Sequence, residues 1–425
     1  MIERYLNPEI NSIWDDQNKF DTWKLVQEKY VETLEELDVA ENGIAKKINQ
    51  SVVQKDEVYK QEEITNHDLA SFVDILQKKV GEGSNWIHYG LTSSDIVDTA
   101  NSILIIQSVD YVKGLVNDLL STLQEKAVQE KDTSIIGRTH GVYAEETFLG
   151  NIFGNWHLEV ARGLNRLENS KNNISFGKLS GPVGNHSVVT SEMEKLTLEK
   201  LNLKPEQFAN QIVSRDRYAE VVSSLGILAS TYERIATNIR SYQRSEISEM
   251  FESFKDGQKG SSAMPHKKNP IGSERITGLA RIMRYYVSTS LENMVLWNER
   301  DISNSSVERI MLPDAFHLIS FMSIELNSIL KHLVINYEQI NVNLEDAKNK
   351  SVSQKYLSYL VNNGVDRDTA YRKIQEEIIK NLSAEELKKE LEKEFKLEFP
   401  DLENQVNKNF DEKTFKDKFQ KIVKI

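Results

Sequence analysis

The stretch VVSSLGILASTYERIATNIRSY, residues 221–242, places apolar side chains at Val221, Leu225, Leu228, Tyr232, Ile235, Ile239 and Tyr242. This alternating spacing of four and three holds for three heptads, the pattern of a long helix that buries a narrow seam. Upstream, Val109, Val112, Val116, Leu119 and Leu123 follow the same period. Downstream, Phe316, Ile319, Leu326, Leu330 and Leu333 do so just after Pro313. Proline is tolerated in the first turn of a helix, so Pro313 marks the expected start of that one. A helix of more than 30 residues extends beyond about 45 Å, and its seam needs cover from other helices, either of the same chain in a monomeric bundle or, the preferred reading, of other copies in an oligomer.

Composition agrees with long helices. The 425 residues include only 7 prolines, none between Pro8 and Pro182 or between Pro313 and Pro400. Each proline inside a helix costs about 3 kcal/mol, so these tracts leave helices uninterrupted. Alternating Val/Ile/Thr text is scarce, and the only short strand candidates lie near Gly177–Val183. The expected fold class is all-α: a long central helical bundle flanked by small helical N- and C-terminal domains. Glycine-rich breaks fall at Gly81–Asn85, at Ser180–Asn185 and over 255–273. They suggest an N-terminal domain over 1–92, a central bundle over 93–345 holding a long mobile loop at 255–273, and a C-terminal domain over 346–425. The charge run LKKELEKEF, residues 387–395, reads as a solvated helix face because apolar residues punctuate it.

Charge and cysteine content narrow the function classes. With 53 Lys+Arg against 65 Asp+Glu the net charge is −12, and no long basic run is present, so nucleic acid is not an expected partner. No apolar run approaches the roughly 18 residues of a membrane span. The opening MIERYLNPEINSIWDD has acids where a signal peptide needs a basic start, so a soluble cytoplasmic protein is expected. Zero cysteines exclude disulfides, thiolate catalysis and metal sites built on Cys. No His-x-x-x-His pair appears, so neither a metal nor a cofactor is expected. Any anionic ligand must then be held by a local cationic cluster.

Four segments offer such chemistry. The loop GSSAMPHKKNP, residues 260–270, combines glycine, paired serines with free N–H groups, and His266, Lys267 and Lys268. It reads either as a lid that closes on an anion and excludes water, or as a basic surface loop. His67, His88 and His140 sit in polar, turn-flanked settings suited to hydrogen bonding, whereas His157, His317 and His332 lie on helices as packing or surface residues. In WNERDISNSSVER, residues 297–309, Arg300 and Arg309 bracket Ser305 and Ser306. That is a fork for phosphate or carboxylate, or else a helix start whose arginines pair with Glu299 and Glu308. The turn LTSSD, residues 91–95, is a helix N-cap, or an N-cap that also holds an anion.

These segments resemble a known family. The GSSAMPHKKNP loop looks like the signature of the fumarase/aspartase superfamily. Ile2 through Tyr5, Thr65 through Asp68, His88 through Asp95, Arg138 through Gly141 and Trp297 through Arg309 are similar in order and spacing to the adenylosuccinate lyase family. The likeness covers residues 2 to about 310. His266 after Met-Pro disfavours argininosuccinate lyase, while carboxymuconate cycloisomerases share a similar loop and are the nearest competitor. The resemblance implies a C–N lyase that releases fumarate from adenylosuccinate, giving AMP, and from the succinylocarboxamide ribotide intermediate of purine biosynthesis. It implies Ser261 as base, aided by loop N–H groups and Lys267, although adjacent Ser262 is equally open on sequence alone. His140 would protonate the leaving nitrogen, Glu274 would orient His140, and His67 would contact substrate. Arg4, Tyr5, Arg300, Ser305 and Arg309 would hold phosphate, and Thr92, Ser93, Lys267 and Asn269 the carboxylates. Asp68, His88, Thr139, Gln211, Met264 and Arg275 are further substrate positions. The family also implies a homotetramer with sites shared between subunits. Tyr143, Asn298 and Asn304 stand where many members have histidine, and Glu146 where many have proline. A non-catalytic helical nucleotide-binding protein is the remaining alternative.

Overall fold

A computed structural model describes residues 1–254, 257–380 and 382–402. Positions 255–256 of the expected loop, and 381 and 403–425 of the expected C-terminal domain, therefore lie outside the described residues. The fold is all-α in the main, and its long helices are Ser93–Gln129, Leu149–Ile174, Arg215–Tyr242, Ile271–Glu292 and Ser303–Lys331. The periodic seam is the buried face: Val221, Leu225, Leu228, Tyr232, Ile235 and Ile239 are each 0% exposed, and only Tyr242 at its end stays partly open. No helix among the described residues is long and apolar enough to cross a membrane.

The chain divides into two compact units. The first comprises Met1–Asn117, Arg162–Tyr232 and Ile276–Glu325. Its N-terminal helix Asp16–Glu36 is started by the Asp15 carboxylate, which accepts from Gln17 N at 2.8 Å. Phe20, Trp23, Tyr30 and Leu34 on that helix are buried with Phe72, and Trp23 meets Phe72 edge-on at 5.6 Å. Gly226 has a packing reason: a Cβ there would lie 2.3 Å from Val287, so the helices carrying them approach closely.

One expectation is corrected in this unit. Pro313 does not start a helix; it lies inside Ser303–Lys331. Asp301 takes over the start, accepting from Ser303 N at 2.9 Å and Trp297 N at 2.8 Å. Pro313 has no N–H, so the carbonyl of Arg309 loses the helical bond that position would donate.

The second unit comprises Asp118–Ala161, Glu233–Arg275 and the chain from Leu326 onward. Strands are as scarce as expected, but they fall elsewhere than anticipated. Ser134–Thr139 pairs antiparallel with Val142–Phe148, and Met250–Phe251 pairs with Val334–Ile335. Near the anticipated Gly177–Val183, which belongs to the first unit, only Phe176–Gly177 is a strand, parallel to Lys204–Pro205. Toward the C-terminus, Tyr356, Leu360, Leu387, Leu391 and Phe399 form a core. The LKKELEKEF run lies in the helix Ala384–Phe395, opened by a capping box of Ser383 and Glu386, with Leu387 and Leu391 inward and the charges outward.

Candidate active site

In the first unit the candidate residues gather at the start of the helix Ser93–Gln129. Thr92 N donates to Asp95 Oδ2 at 2.8 Å, which caps the helix from within its first turn. The same carboxylate accepts from Gly181 N at 3.3 Å and pairs with Lys178, both side chains being 0% exposed. Lys178 also donates to Gly181 O at 2.9 Å, so the turn after Ser180 is tied through Asp95 to the helix start that carries Thr92 and Ser93. Ser93 Oγ lies 3.4 Å from His67 Nε2, and His67 is itself the cap of the helix Asp68–Val80. Arg300 donates to Ser94 Oγ at 3.2 Å and to Gln211 Oε1 at 3.3 Å.

Asp68 ties this cluster to the helix Ser303–Lys331 through Arg309 Nη2 at 2.7 Å, and Arg309 Nε donates to Ser305 Oγ at 3.4 Å. Burial alone would raise the Asp68 carboxyl, yet the Arg309 guanidinium and the Leu69 N–H outweigh it and hold it below the ordinary carboxylate range. Asp68, Arg300, Ser305 and Arg309 line one cavity of about 290 Å³, together with Lys19 and the buried ion cluster of Arg215, Asp98 and Glu308. The four cations at this cavity, Lys19, Arg215, Arg300 and Arg309, face five acids, Asp16, Glu62, Asp68, Asp98 and Glu308. Lys19, Arg215 and Arg309 pair with carboxylates, while Arg300 is held by the neutral oxygens of Ser94 and Gln211 and is the cation best placed to meet an anion. Gln27 holds His88 at both its ring and its backbone N–H, and burial, with His67 adding to it, pushes its ring down to about 4. Arg4 and Tyr5 form a short turn at the surface, where Tyr5 meets Phe321 edge-on at 5.0 Å.

In the second unit His140 stands at the tip of the hairpin. Thr139 pairs with Val142, leaving a two-residue loop in which His140 and Gly141 have φ of +56° and +79°. Positive φ at both loop positions is the primed turn that matches strand twist, and glycine and histidine tolerate it better than bulkier residues. The hairpin is anchored two residues earlier, where Arg138 forks onto the fully buried Glu249 at 2.8 Å and 2.8 Å. Asn343 Nδ2 donates to the same carboxylate at 2.8 Å.

The loop beyond it is turned on itself. Ser261 Oγ accepts from Ala263 N at 3.3 Å and Met264 N at 3.1 Å, while Lys267 N donates to Met264 O at 3.0 Å. Asn269 Nδ2 donates to Gly260 O at 2.9 Å, and a Cβ on Gly260 would lie 2.2 Å from Lys267 O. Ser262, Met264 and Lys267 are exposed, and Glu274 and Arg275 sit in the first turn of the helix Ile271–Glu292. Glu274 and His140 share no hydrogen bond, nor do the side chains of Lys267 and Ser261. Among the described residues no group of three or more His, Asp or Glu is placed to hold a metal ion.

A family model described as lyase matches residues 19–283. An adenylosuccinate lyase of Thermotoga maritima is 41% identical over 386 residues, which covers 91% of this chain and 90% of that protein. The chain belongs to the adenylosuccinate lyase family. Another member, from Aquifex aeolicus, is 42% identical over 381 residues, covering 88% of this chain and 87% of its own. A solved fumarate lyase of Mesorhizobium sp. matches with a TM-score of 0.86 over 100% of this chain and 99% of that one; at 18% identity it speaks for the fold alone.

Within the adenylosuccinate lyase family, the departures noted in the sequence have local structural partners here. Tyr143 lies beneath the Arg138 guanidinium at 5.3 Å, and Asn304, 0% exposed, donates to both oxygens of Glu308 at 3.1 Å and 3.2 Å. Asn298 adopts a φ of +48°, which asparagine tolerates. The residues that sequence reasoning missed are those behind the site: Gln27, Lys178, Arg215 and Glu249. Each is a polar or charged residue far along the chain from the group it holds, and nothing in its own neighbourhood signals burial.

Proposed function

We propose that this adenylosuccinate lyase family member is a C–N lyase that eliminates fumarate from adenylosuccinate, leaving AMP, and from the succinylocarboxamide ribotide of purine biosynthesis. The observation that carries it is identity above 40% with adenylosuccinate lyases over some nine tenths of the chain. The roles are those the family resemblance implies. Ser261 Oγ takes a proton from the carbon one bond beyond the one that bears the nitrogen, the electron pair is held by the carboxylate on that carbon, the C=C bond of fumarate forms as the C–N bond breaks, and His140 gives a proton to the departing nitrogen. A serine oxygen acts as base only where its charge is stabilised, and the two N–H donors already aimed at Ser261 Oγ support that role. Lys267 and Asn269 belong to the same loop and hold carboxylate, with Thr92 and Ser93 at the helix start. Arg4, Tyr5, Arg300, Ser305 and Arg309 hold phosphate.

A homotetramer in which residues of different copies complete one site is part of the proposal. Support comes from apolar side chains left open on the long helices, among them Ile227 at 46%, Tyr285 at 72% and Ile310 at 64% exposure. Sedimentation should give about four times the 48.8 kDa chain mass; a monomer would overturn this part. The three-part division at 92 and 345 is kept as the working organisation, supported by the separate core around Tyr356 and Leu391. A cytoplasmic setting is proposed because phosphomonoester nucleotides do not cross bilayers.

Ultraviolet absorbance of purified protein with adenylosuccinate decides the reaction, since the purine chromophore changes as fumarate leaves. No spectral change and no fumarate would sink it. Ser261→Ala should lose turnover by at least about 10²-fold while folding normally, in line with removal of an essential proton acceptor; near-normal turnover would pass the role to Ser262.

A further inference from the structure

Two glutamates flank the short strand Met250–Phe251, and each fastens a different part of the proposed chemistry. Glu249 holds Arg138 and through it the hairpin of His140. Glu252 has no such assigned partner, yet it reaches back across the loop that follows it. Its Oε1 accepts from Ser273 N at 2.6 Å and its Oε2 from Gly272 N at 3.1 Å. These are the first amides of the helix Ile271–Glu292, which have no helical acceptor of their own. Pro270 precedes that helix, so its start is capped from outside, by a carboxylate some twenty residues earlier.

A carboxylate on two N–H groups at a helix N-terminus combines charge-assisted hydrogen bonds with a favourable dipole. The clamp has a second arm. Glu252 N donates to Gln243 Oε1 at 3.1 Å, and Gln243 Nε2 donates to Lys268 O at 2.8 Å. The segment bearing Ser261, Lys267 and Asn269 thus leaves and returns through one neck, closed by Glu252 and Gln243. Glu274 and Arg275 directly follow the two clamped residues.

We infer that Glu252 is a positioning residue: it closes the neck of the Ser261 loop and fixes where that loop stands relative to the His140 hairpin. It does so without touching substrate. The inference rests on the reading of Ser261 as base. Glu252→Ala leaves Gly272 N and Ser273 N without their acceptor and frees both ends of the loop, and misplacement of a reacting group by about 1 Å costs on the order of 10²-fold in rate.

The test combines kinetics with amide exchange on the full-length protein. Glu252→Ala should lower kcat on the order of 10²-fold, whereas Glu252→Gln, which keeps one carbonyl acceptor, should stay within about tenfold of wild type. AMP affinity, read by calorimetry, should change less than twofold, because the phosphate residues lie elsewhere. Deuterium uptake in a peptide spanning 270–276 should rise sharply in Glu252→Ala and little in Glu252→Gln. A folded Glu252→Ala enzyme with wild-type kcat, or with unchanged exchange at Gly272 and Ser273, overturns the inference. So does a loss of AMP affinity that matches the loss of kcat, which would mark general unfolding. Wild-type protein without lyase activity would instead sink the functional reading, and the exchange data would still decide whether the clamp exists.

Discussion

Replacing Gln27 by glutamate should move the His88 ring back toward its ordinary pKa, and the reasoning rests on how one amide is oriented. Gln27 Oε1 accepts the backbone N–H of His88 at 3.0 Å, which leaves the Gln27 NH2 facing His88 Nδ1 at 3.1 Å. An NH2 can only donate, so Nδ1 must accept, and the ring is neutral with its proton on Nε2. Protonation would set two donors against each other, and flipping the amide would strand the His88 N–H. This adds to the burial that, with His67 nearby, holds the ring at about 4.

The gap between an unfolded histidine near 6.5 and a folded one near 4 corresponds to about 3 kcal/mol, at 1.36 kcal/mol per unit. The sign follows from proton counting. Between those values the unfolded chain binds the extra proton, so this contribution is whole above about pH 6.5 and is lost as pH falls toward 4. In Gln27→Glu a carboxylate faces Nδ1, accepts its N–H and adds an opposite charge, which raises the ring by about 1–3 units. The pH slope of stability between 4 and 6.5 should therefore flatten. Proton–carbon NMR of histidine-labelled protein, with His88→Gln for assignment, reads the pKa directly, and urea unfolding at pH 5 and pH 7 reads the slope. A wild-type His88 titrating near 6.5, or one left near 4 in Gln27→Glu, refutes the argument.

Lys178→Met should cost about 3–5 kcal/mol in urea unfolding, because Asp95 is then buried without its cation, and Lys178→Met with Asp95→Asn should recover most of it; a single variant within about 1 kcal/mol of wild type would mean that the pair is not buried as described. Gly184→Ala forces a Cβ to 2.0 Å from Ala209 O at a φ of +71°, so the melting temperature should fall, with at least about 1–2 kcal/mol from the backbone alone; an unchanged value would contradict the geometry. Pro313→Ala returns an N–H to the Arg309 carbonyl and should stabilise the protein by up to about 3 kcal/mol while weakening AMP binding, since Ser305 and Arg309 occupy the turn that the proline leaves open; unchanged AMP affinity would show that this turn does not set the fork.

What could be read ahead of the structure was whatever a run of neighbours encodes. The seam from Val221 to Ile239 is local text with a helical period, and burial follows that period residue by residue. The start of the helix at Ser93 was legible for the same reason. Pro313 misled because its preference for a first turn is only a preference; Asp301, two residues before Ser303, had a stronger local claim to the start. The hairpin was missed because Gly137 shifts the register between Ile136 and Arg138, which breaks the alternation that marks a strand, and because its tight turn carries histidine instead of asparagine in the first position. The parts of the candidate site divide along the same line. Hydroxyls, histidines and arginines in short motifs declared themselves. The residues that hold them did not: Lys178 meets Asp95 from 83 positions away and Arg138 meets Glu249 from 111. In sequence Glu249 and Glu252 are two more acids in a chain of 65. Only a fold that removes water from one of them and turns the other onto a helix start makes them supports of the candidate site, and no local period records either event.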